Sequence, residues 1–438
     1  MSVQGLQAQI SLASEEIERQ KDVLKRLERN KSLLQRQLNR MLDPIARLPL
    51  EISSEIFLQC ISFRAQPTGI RSIPTILLQV CHAWTDIALS ITALWTQIRI
   101  ILPCSRGFPF VLDGWIKRAR EQPLRLHVSI RFGREEAFDD GVSAALQRHS
   151  GLLQDLEIEL EEEASMSNMP WQGTETGSMP HLQNLRIHSR SNSVCDPSTI
   201  QQLLRCSPNL VNLYLYSLNM WESTDGERAA IVLPRLHRLD FGRNDWEPDS
   251  EGDEIFAMIT TPGLESLHLL SMHTLSEDLL SFLKRSSPPL RELAFDCLQM
   301  AGSTELLDDI FCAVPTLVHL DIGFPDSALL ERLSTILTRR HPSRALPNLQ
   351  TLEFQYFAGD DISDSSWDHL LPVLVARRAE LGAMRIYVHG ASNLDGGPAV
   401  AVLSDFASPR VLPALKELAA GGMEFWIGPS WEENLFSA

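Results

Sequence analysis

Apolar residues recur in three rhythms along the chain, and each predicts a different kind of element. Over residues 6–41 the period is seven. With Leu6, Ala13, Gln20, Leu27, Leu34 and Met41 as d positions, Ile10, Ile17, Leu24, Lys31 and Leu38 fall at a, and nine of these eleven are apolar. That repeat, flanked by Glu15, Glu16, Glu18, Arg19, Lys25 and Arg26, predicts a coiled-coil helix, and Ile or Leu at a with Leu at d leans towards two strands. Gln20 and Lys31 weaken the seam. A homodimer through residues 6–42 and a lone amphipathic helix folded back on its own chain both satisfy the pattern.

Between residues 48 and 95 the apolar positions form three short groups at helical spacing: Leu48, Ile52, Ile56, Phe57 and Ile61; Ile76, Leu77 and Val80; Trp84, Ile87, Ala88 and Ile91. Pro44 ends the preceding helix, and Pro49 sits near the first turn of the next, where its missing N–H costs nothing. Three helices in so short a segment have a thin core, so part of their apolar surface belongs either against the rest of the chain or at an interface.

From about residue 150 the rhythm changes to Pro-x-Leu-x-x-Leu. The phrase begins at Pro180, Pro208, Pro234, Pro262, Pro288, Pro315, Pro347 and Pro413, at intervals of 28, 26, 28, 26, 27, 32 and 66 residues. The double interval holds a copy without proline, AELGAMRIYV (379–388); GLLQDLEIEL (151–160) is an earlier copy and PLRLHVSI (123–130) an irregular first strand. Pairs such as Leu185 and Ile187, Leu213 and Leu215, or Leu267 and Leu269 point to one side of a strand, and proline is tolerated at a strand's first position. Between strands, helices carry legible ends. In SEDLLSFLKRSSPPL, Ser276 is an N-cap, Glu277 and Asp278 suit the positive end, and Lys284 and Arg285 the negative end.

Two resemblances follow from these residues. A period of 26–34 residues carrying LxxLxL resembles leucine-rich repeats, which implies a curved α/β solenoid of parallel strands joined by helices. The segment LPLEISSEIF, then LLQVCHAWTDIA and ALW, resembles an F-box at Leu48, Pro49, Glu51, Ile52, Ile56, Phe57, Val80, Cys81, Trp84, Leu94 and Trp95. Its connection SFRAQPTGIRSIP (62–74) is longer than usual and lacks the common Asp-Leu start of the second helix. The expected organisation is an α/β chain with a heptad helix (1–43), an F-box bundle (44–100), a connecting segment (101–135) and a repeat solenoid (136–438). The resemblance implies docking to a Skp-type adaptor, and through it a cullin, by Leu48, Pro49, Ile52, Ile56, Phe57, Val80 and Trp84. The repeats would hold an unknown target protein. The alternative is a non-catalytic dimeric scaffold whose helical segment only caps the solenoid.

Composition narrows the remaining choices. A formal charge of −17 disfavours broad attraction to nucleic acid or anionic membrane. Seven scattered cysteines without a CxxC pair suggest reduced, mostly buried thiols. The opening MSVQGLQAQISLASEEIERQ lacks the basic start and apolar run of a secretory leader, and no stretch approaches a membrane span, so the expectation is an intracellular protein, in cytoplasm or nucleus. GxSxG, HExxH, GxxxxGK[ST] and GxGxxG are absent, so neither a catalytic residue, a metal site nor a cofactor is expected. DWEPDSEGDE (245–254) has Ser250 and Phe256 where a calcium loop needs Gly and Glu.

What remains is the outward side of the strands: Glu157, Glu159, Arg186, His188, Tyr214, Tyr216, Asp240, His268, Asp296, Asp321, Glu353, Gln355, Arg385 and Tyr387. Interface energy concentrates in tyrosine and arginine, which makes Arg186, His188, Tyr214, Tyr216 and His268 the candidate target-binding residues. A solvent-facing strand that simply carries polar residues is the other reading.

Overall fold

The computed structural model describes residues 3–61, 73–104, 107–131, 140–161, 178–195, 197–220, 230–242, 254–270, 276–296, 306–339, 345–357, 362, 364–389 and 407–428. The chain divides into two compact units, Met1–Ile100 with Phe110–Leu124, and Ile101–Pro109 with Arg125–Ala438.

The first unit begins with helix α1 (Val3–Leu42), which ends just before Pro44, where the Asp43 carboxylate accepts from Ile45 N at 2.9 Å. Pro49 is the N-cap of α2 (Leu50–Gln59), and α3 (Ile73–Val80) and α4 (His82–Ser90) follow. Most of the connection between α2 and α3, residues 62–72, lies outside the described residues. Strand β1 (Gln97–Leu102), the sheet's first strand, and helix α5 (Phe108–Ala119) follow. Large aromatic side chains close this small core. The Phe57 ring lies 5.1 Å from Trp84, Trp95 meets Trp115 edge-on at 5.2 Å, and Trp95 Nε1 donates to Ala88 O at 3.0 Å. Cys81, half-buried at the start of α4, donates its thiol to Asp43 at 3.3 Å.

The second unit carries strands β2 (Leu124–Ile130), β3 (Leu153–Leu160), β4 (Asn184–Cys195), β5 (Asn212–Met220), β7 (Arg238–Gly242), β9 (Ser266–Leu270), β10 (Glu292–Asp296), β11 (His319–Gly323), β12 (Thr351–Phe357), β13 (Ala383–His389) and β14 (Glu424–Gly428). With β1 they belong to one twelve-stranded sheet, and β3 to β14 pair in parallel in chain order; β6 (Ile231–Val232) and β8 (Ile259–Thr260) form a separate parallel pair. Parallel neighbours need crossovers. These contain α6 (Asp140–Arg148), α7 (Pro197–Cys206), α8 (Glu254–Met258), α9 (Glu277–Ser286), α10 (Leu307–Ala313), α11 (Ser327–Leu337), α12 (Asp364–Ala376) and α13 (Leu412–Ala420). The Ser276 hydroxyl caps α9 by accepting from Leu279 N at 3.2 Å, and Asp326 does the same for α11 from Leu329 N at 2.7 Å.

Register aligns the strand leucines into two unbroken apolar rows. One runs Leu156, Leu185, Leu213, Leu239, Leu267, Leu293, Leu320, Leu352, Met384, Phe425; the other runs from Ile158 through Ile187, Leu215, Phe241, Leu269, Phe295, Ile322, Phe354 and Ile386 to Ile427. All are buried. At about 1.5–3 kcal/mol per fully buried large apolar side chain, these rows are the main favourable term in the unit.

Three expectations change. The phrase prolines do not begin strands: Pro180, Pro208, Pro234, Pro262, Pro288, Pro315 and Pro347 each stand four residues earlier, and all of these but Pro288 occupy the second position of a tight turn. In those turns the leucine N–H bonds back three residues, as in Leu182 to Met179, Leu210 to Ser207, Leu236 to Leu233, Leu264 to Thr261, Leu317 to Val314 and Leu349 to Leu346. Asn209 and Asn348 tie these turns to the preceding one through Pro180 O (2.8 Å) and Pro315 O (3.0 Å). At the equivalent Gly263 a Cβ would lie 2.6 Å from Pro234 O, so glycine alone fits. The last phrase, PALKELAA, is helix α13 rather than a strand. Its Ala, Leu, Lys and Glu are strong helix formers, Pro413 sits in the first turn, and the strand, β14, comes after Gly421 and Gly422. The cysteines are also less buried than expected: of the six described, only Cys195 is buried, and Cys60 and Cys312 are exposed.

Candidate functional site

Opposite the apolar rows, the sheet's other face carries three polar rows in the same register. The central row runs Glu157, Arg186, Tyr214, Asp240, His268, Ala294, Asp321, Glu353, Arg385, Trp426. Arg186, His188, Tyr214, Tyr216 and His268 therefore lie on neighbouring strands of one face, all half-buried.

The contacts among them are specific. The Arg186 guanidinium stands 4.8 Å over the Tyr214 ring, and the Tyr214 and Tyr216 rings are 6.5 Å apart. Such stacking suits a cation beside an aromatic face. The Tyr216 hydroxyl donates to Asp240 at 2.9 Å, and Arg238 donates to both oxygens of the same carboxylate, at 2.9 and 3.1 Å. Burial, and then the Asp240 charge, pushes the Tyr216 phenol well above its usual range, so it remains a donor. Arg238 also donates to His268 Nδ1 at 3.2 Å, and Nε2 of that ring faces Glu292 at 3.2 Å. The His268 contact, with the Ser266 hydroxyl at 2.9 Å, holds the Glu292 carboxyl down at about 2 against the opposing effect of burial.

Arg238 and Glu292 join the cluster although the sequence reading passed over them. They occupy the row two residues before the Asp240 and Ala294 positions, so the two-residue alternation of a strand was the signal that could have found them. Arg186 differs from Arg238 in being less committed. Its nearest carboxylate is Glu157 at 3.9 Å, and its side chain keeps 36% of its surface in water.

Further along, His319 and Arg385 converge on Glu353, at 3.2 and 2.9 Å, and Gln355 donates to Asp321 at 2.6 Å. The bond to Glu353 raises the His319 pKa, whereas burial raises that of Asp321. Glu159, Asp240 and Glu353, expected as outward residues, are nearly buried at 4%, 4% and 7% exposure, because long neighbours on adjacent strands cover them. This face offers charge-assisted hydrogen bonds and aromatic surface, the chemistry of recognition. Among the described residues no group of three or more His, Cys, Asp and Glu is placed to hold a metal ion, and no helix is long and apolar enough to cross a membrane. Asp245, Glu247 and Asp249 lie outside the described residues.

The helical unit places its candidate residues differently. Phe57 is 1% exposed and Trp84 half-buried beside it, so this pair holds α2 against α4. Pro49 is exposed, and Leu48, Ile52, Ile56 and Val80 keep 40%, 51%, 39% and 52% of their surface in water. Ile52 and Ile56 share one face of α2, as Ile76 and Val80 share one face of α3, because residues four apart lie one above the other. No protein-family model matches this chain, and no curated protein matches it.

Proposed function

We propose that this protein is the substrate-recognition subunit of a Skp–cullin–F-box ubiquitin ligase, working in cytoplasm or nucleus. Helices α2 to α4 act as an F-box that docks a Skp-type adaptor, and the remainder is a leucine-rich-repeat solenoid whose polar strand face binds a target protein. The observation that carries this reading is the exposure of Leu48, Ile52, Ile56 and Val80 on helices whose core is closed by Phe57, Trp84 and Trp95. Exposed aliphatic side chains at those F-box-like positions call for an apolar partner. Their exposure also favours docking over the alternative in which the helical segment only caps the repeats.

In this reading Leu48, Pro49, Ile52, Ile56 and Val80 touch the adaptor, and Phe57 and Trp84 set the angle between helices. The target meets Arg186, Tyr214 and Tyr216, with His188, Arg238 and His268 beside them. Ubiquitin transfer belongs to other subunits, so the chain supplies two binding surfaces and no chemical step.

Titration of the purified chain with a Skp-type adaptor tests the proposal. Native chain should bind, and Leu48→Ala with Ile52→Ala should weaken binding at least about tenfold, because each decade corresponds to 1.4 kcal/mol and each buried aliphatic contributes about that much or more. Failure of the native chain to bind, or binding indifferent to both substitutions, would overturn it.

A further inference from the structure

We propose that two copies of this chain pair through α1 as an antiparallel two-stranded coiled coil centred between Leu24 and Leu27. Helix α1 is 40 residues long, and the apolar side chains of its stripe that the structure describes are exposed. Ile10, Leu24, Leu27 and Met41 expose 65%, 57%, 60% and 70% of their surface. Ser32 alone among residues 9–38 is even half-buried, and its hydroxyl lies 3.4 Å from His82. Among the described residues the seam from Leu6 to Met41, about 54 Å long, is open to water, which favours a second copy over the fold-back alternative.

The seam's two polar positions argue for a second copy and for its direction. In an antiparallel pair each a residue meets a d residue of the other helix. One alignment sets Gln20 against Lys31 of the second copy, so that the two polar side chains share a layer and every other layer is apolar. In that alignment the small Ala13 faces the large Leu38, and Leu24 faces Leu27. Sliding by one heptad in either direction would set Lys31 against Ala13 or Leu27 and desolvate a charge against an aliphatic residue. A parallel in-register pair would instead oppose Lys31 to Lys31 and Ala13 to Ala13, a like-charge layer and an underfilled one.

Flanking charge agrees. Antiparallel strands bring e positions together, which puts Lys21 beside Glu28 of the second copy twice per dimer. Lys21 currently bonds Glu18 at 2.8 Å on its own helix, an exposed pair that exchanges at little cost. The pairing sets each Met41 beside the other copy's Ile10, and so holds the two α2 to α4 segments at opposite ends of a rod about 45 Å long. None of this depends on what those helices dock.

Sedimentation equilibrium on the full chain at about 10 μM tests the pairing, an ordinary working range for coiled coils of this length. The expected mass is twice the 49.2 kDa of one chain. Leu24→Asp with Leu27→Asp should give the single-chain mass, with unchanged thermal unfolding of the remainder because both residues are exposed. Lys21→Glu should weaken the dimer about tenfold by turning two attractive pairs repulsive, and adding Glu28→Lys should restore it. A monomeric native chain, a trimer, or a dimer insensitive to the aspartates overturns the proposal. So does rescue of Lys21→Glu by Glu16→Lys rather than by Glu28→Lys, since that pair meets only in a parallel coil.

Discussion

On strand β9, Leu267 lies between Leu239 and Leu293 and Leu269 between Phe241 and Phe295, all buried, and even the carboxylates of Asp240 and Glu353 on the opposite face are almost closed off from water. On helix α2, Ile52 and Ile56 leave 51% and 39% of their surface in solvent, and the seam of α1 leaves more. Strands β3 to β13 each pair with the next strand in the sheet, so their apolar rows are enclosed by the same chain. The helical segment has no next repeat. It spends its large aromatic residues on holding three short helices together and leaves its aliphatic residues for something else to cover. Repetition along the sheet encloses its side chains, and where it stops the aliphatic residues stay exposed.

The sharpest way to break this contrast is to remove one side chain from a row. Leu267→Ala should destabilise the second unit by about 2–5 kcal/mol, because neighbours fixed on both sides cannot collapse into the gap. Chemical denaturation followed by tryptophan fluorescence and circular dichroism would measure it. A change below about 1 kcal/mol would mean that the rows are looser than their burial implies.

A smaller effect probes the polar face. The bond to Glu353 raises the His319 pKa, so the protonated ring is favoured in the folded state. Its stabilising contribution is therefore fully present below the unfolded histidine value, near 6.5, and is lost as pH rises through the folded one. Native protein should lose stability as pH rises from about 6.5 through the raised folded value, and His319→Gln should flatten that slope. Denaturant midpoints across the range decide it; equal slopes for the two proteins would remove His319 from the account.

The same contrast explains what was legible in the sequence. The apolar rows were, since Leu185 with Ile187 or Leu267 with Leu269 needs only a period of two, and so was the cap at Ser276. PALKELAA misled because proline followed by spaced leucines fits both the repeat phrase and the first turn of a helix; composition, rich in Ala, Lys and Glu, was the better guide. Spacing told which residues face outward but not who stands beside them. Asp240 is closed off by Tyr216 and by Arg238, whose guanidinium also reaches His268; one of these partners lies 24 residues away and another only two. In the helical segment, periodicity put Phe57 and Ile56 in one apolar group, and only packing turned one inward and left the other out.

The smallest expected effect falls on Ile52. A side chain half in water contributes little to its own fold, so Ile52→Ser should change the unfolding free energy by less than about 0.5 kcal/mol, the range of ordinary surface substitutions. Ile52 stands in the first turn of α2 and Ser and Ile have about the same helix propensity, so the change tests the side chain itself, and Ile52→Ala is the apolar control. Thermal unfolding of both variants beside the native chain would measure the difference. A loss as large as that for Leu267→Ala would place Ile52 in a core and erase the distinction between the two regions. A negligible loss of stability combined with lost adaptor binding would instead separate what Ile52 does for the fold from what it does for a partner.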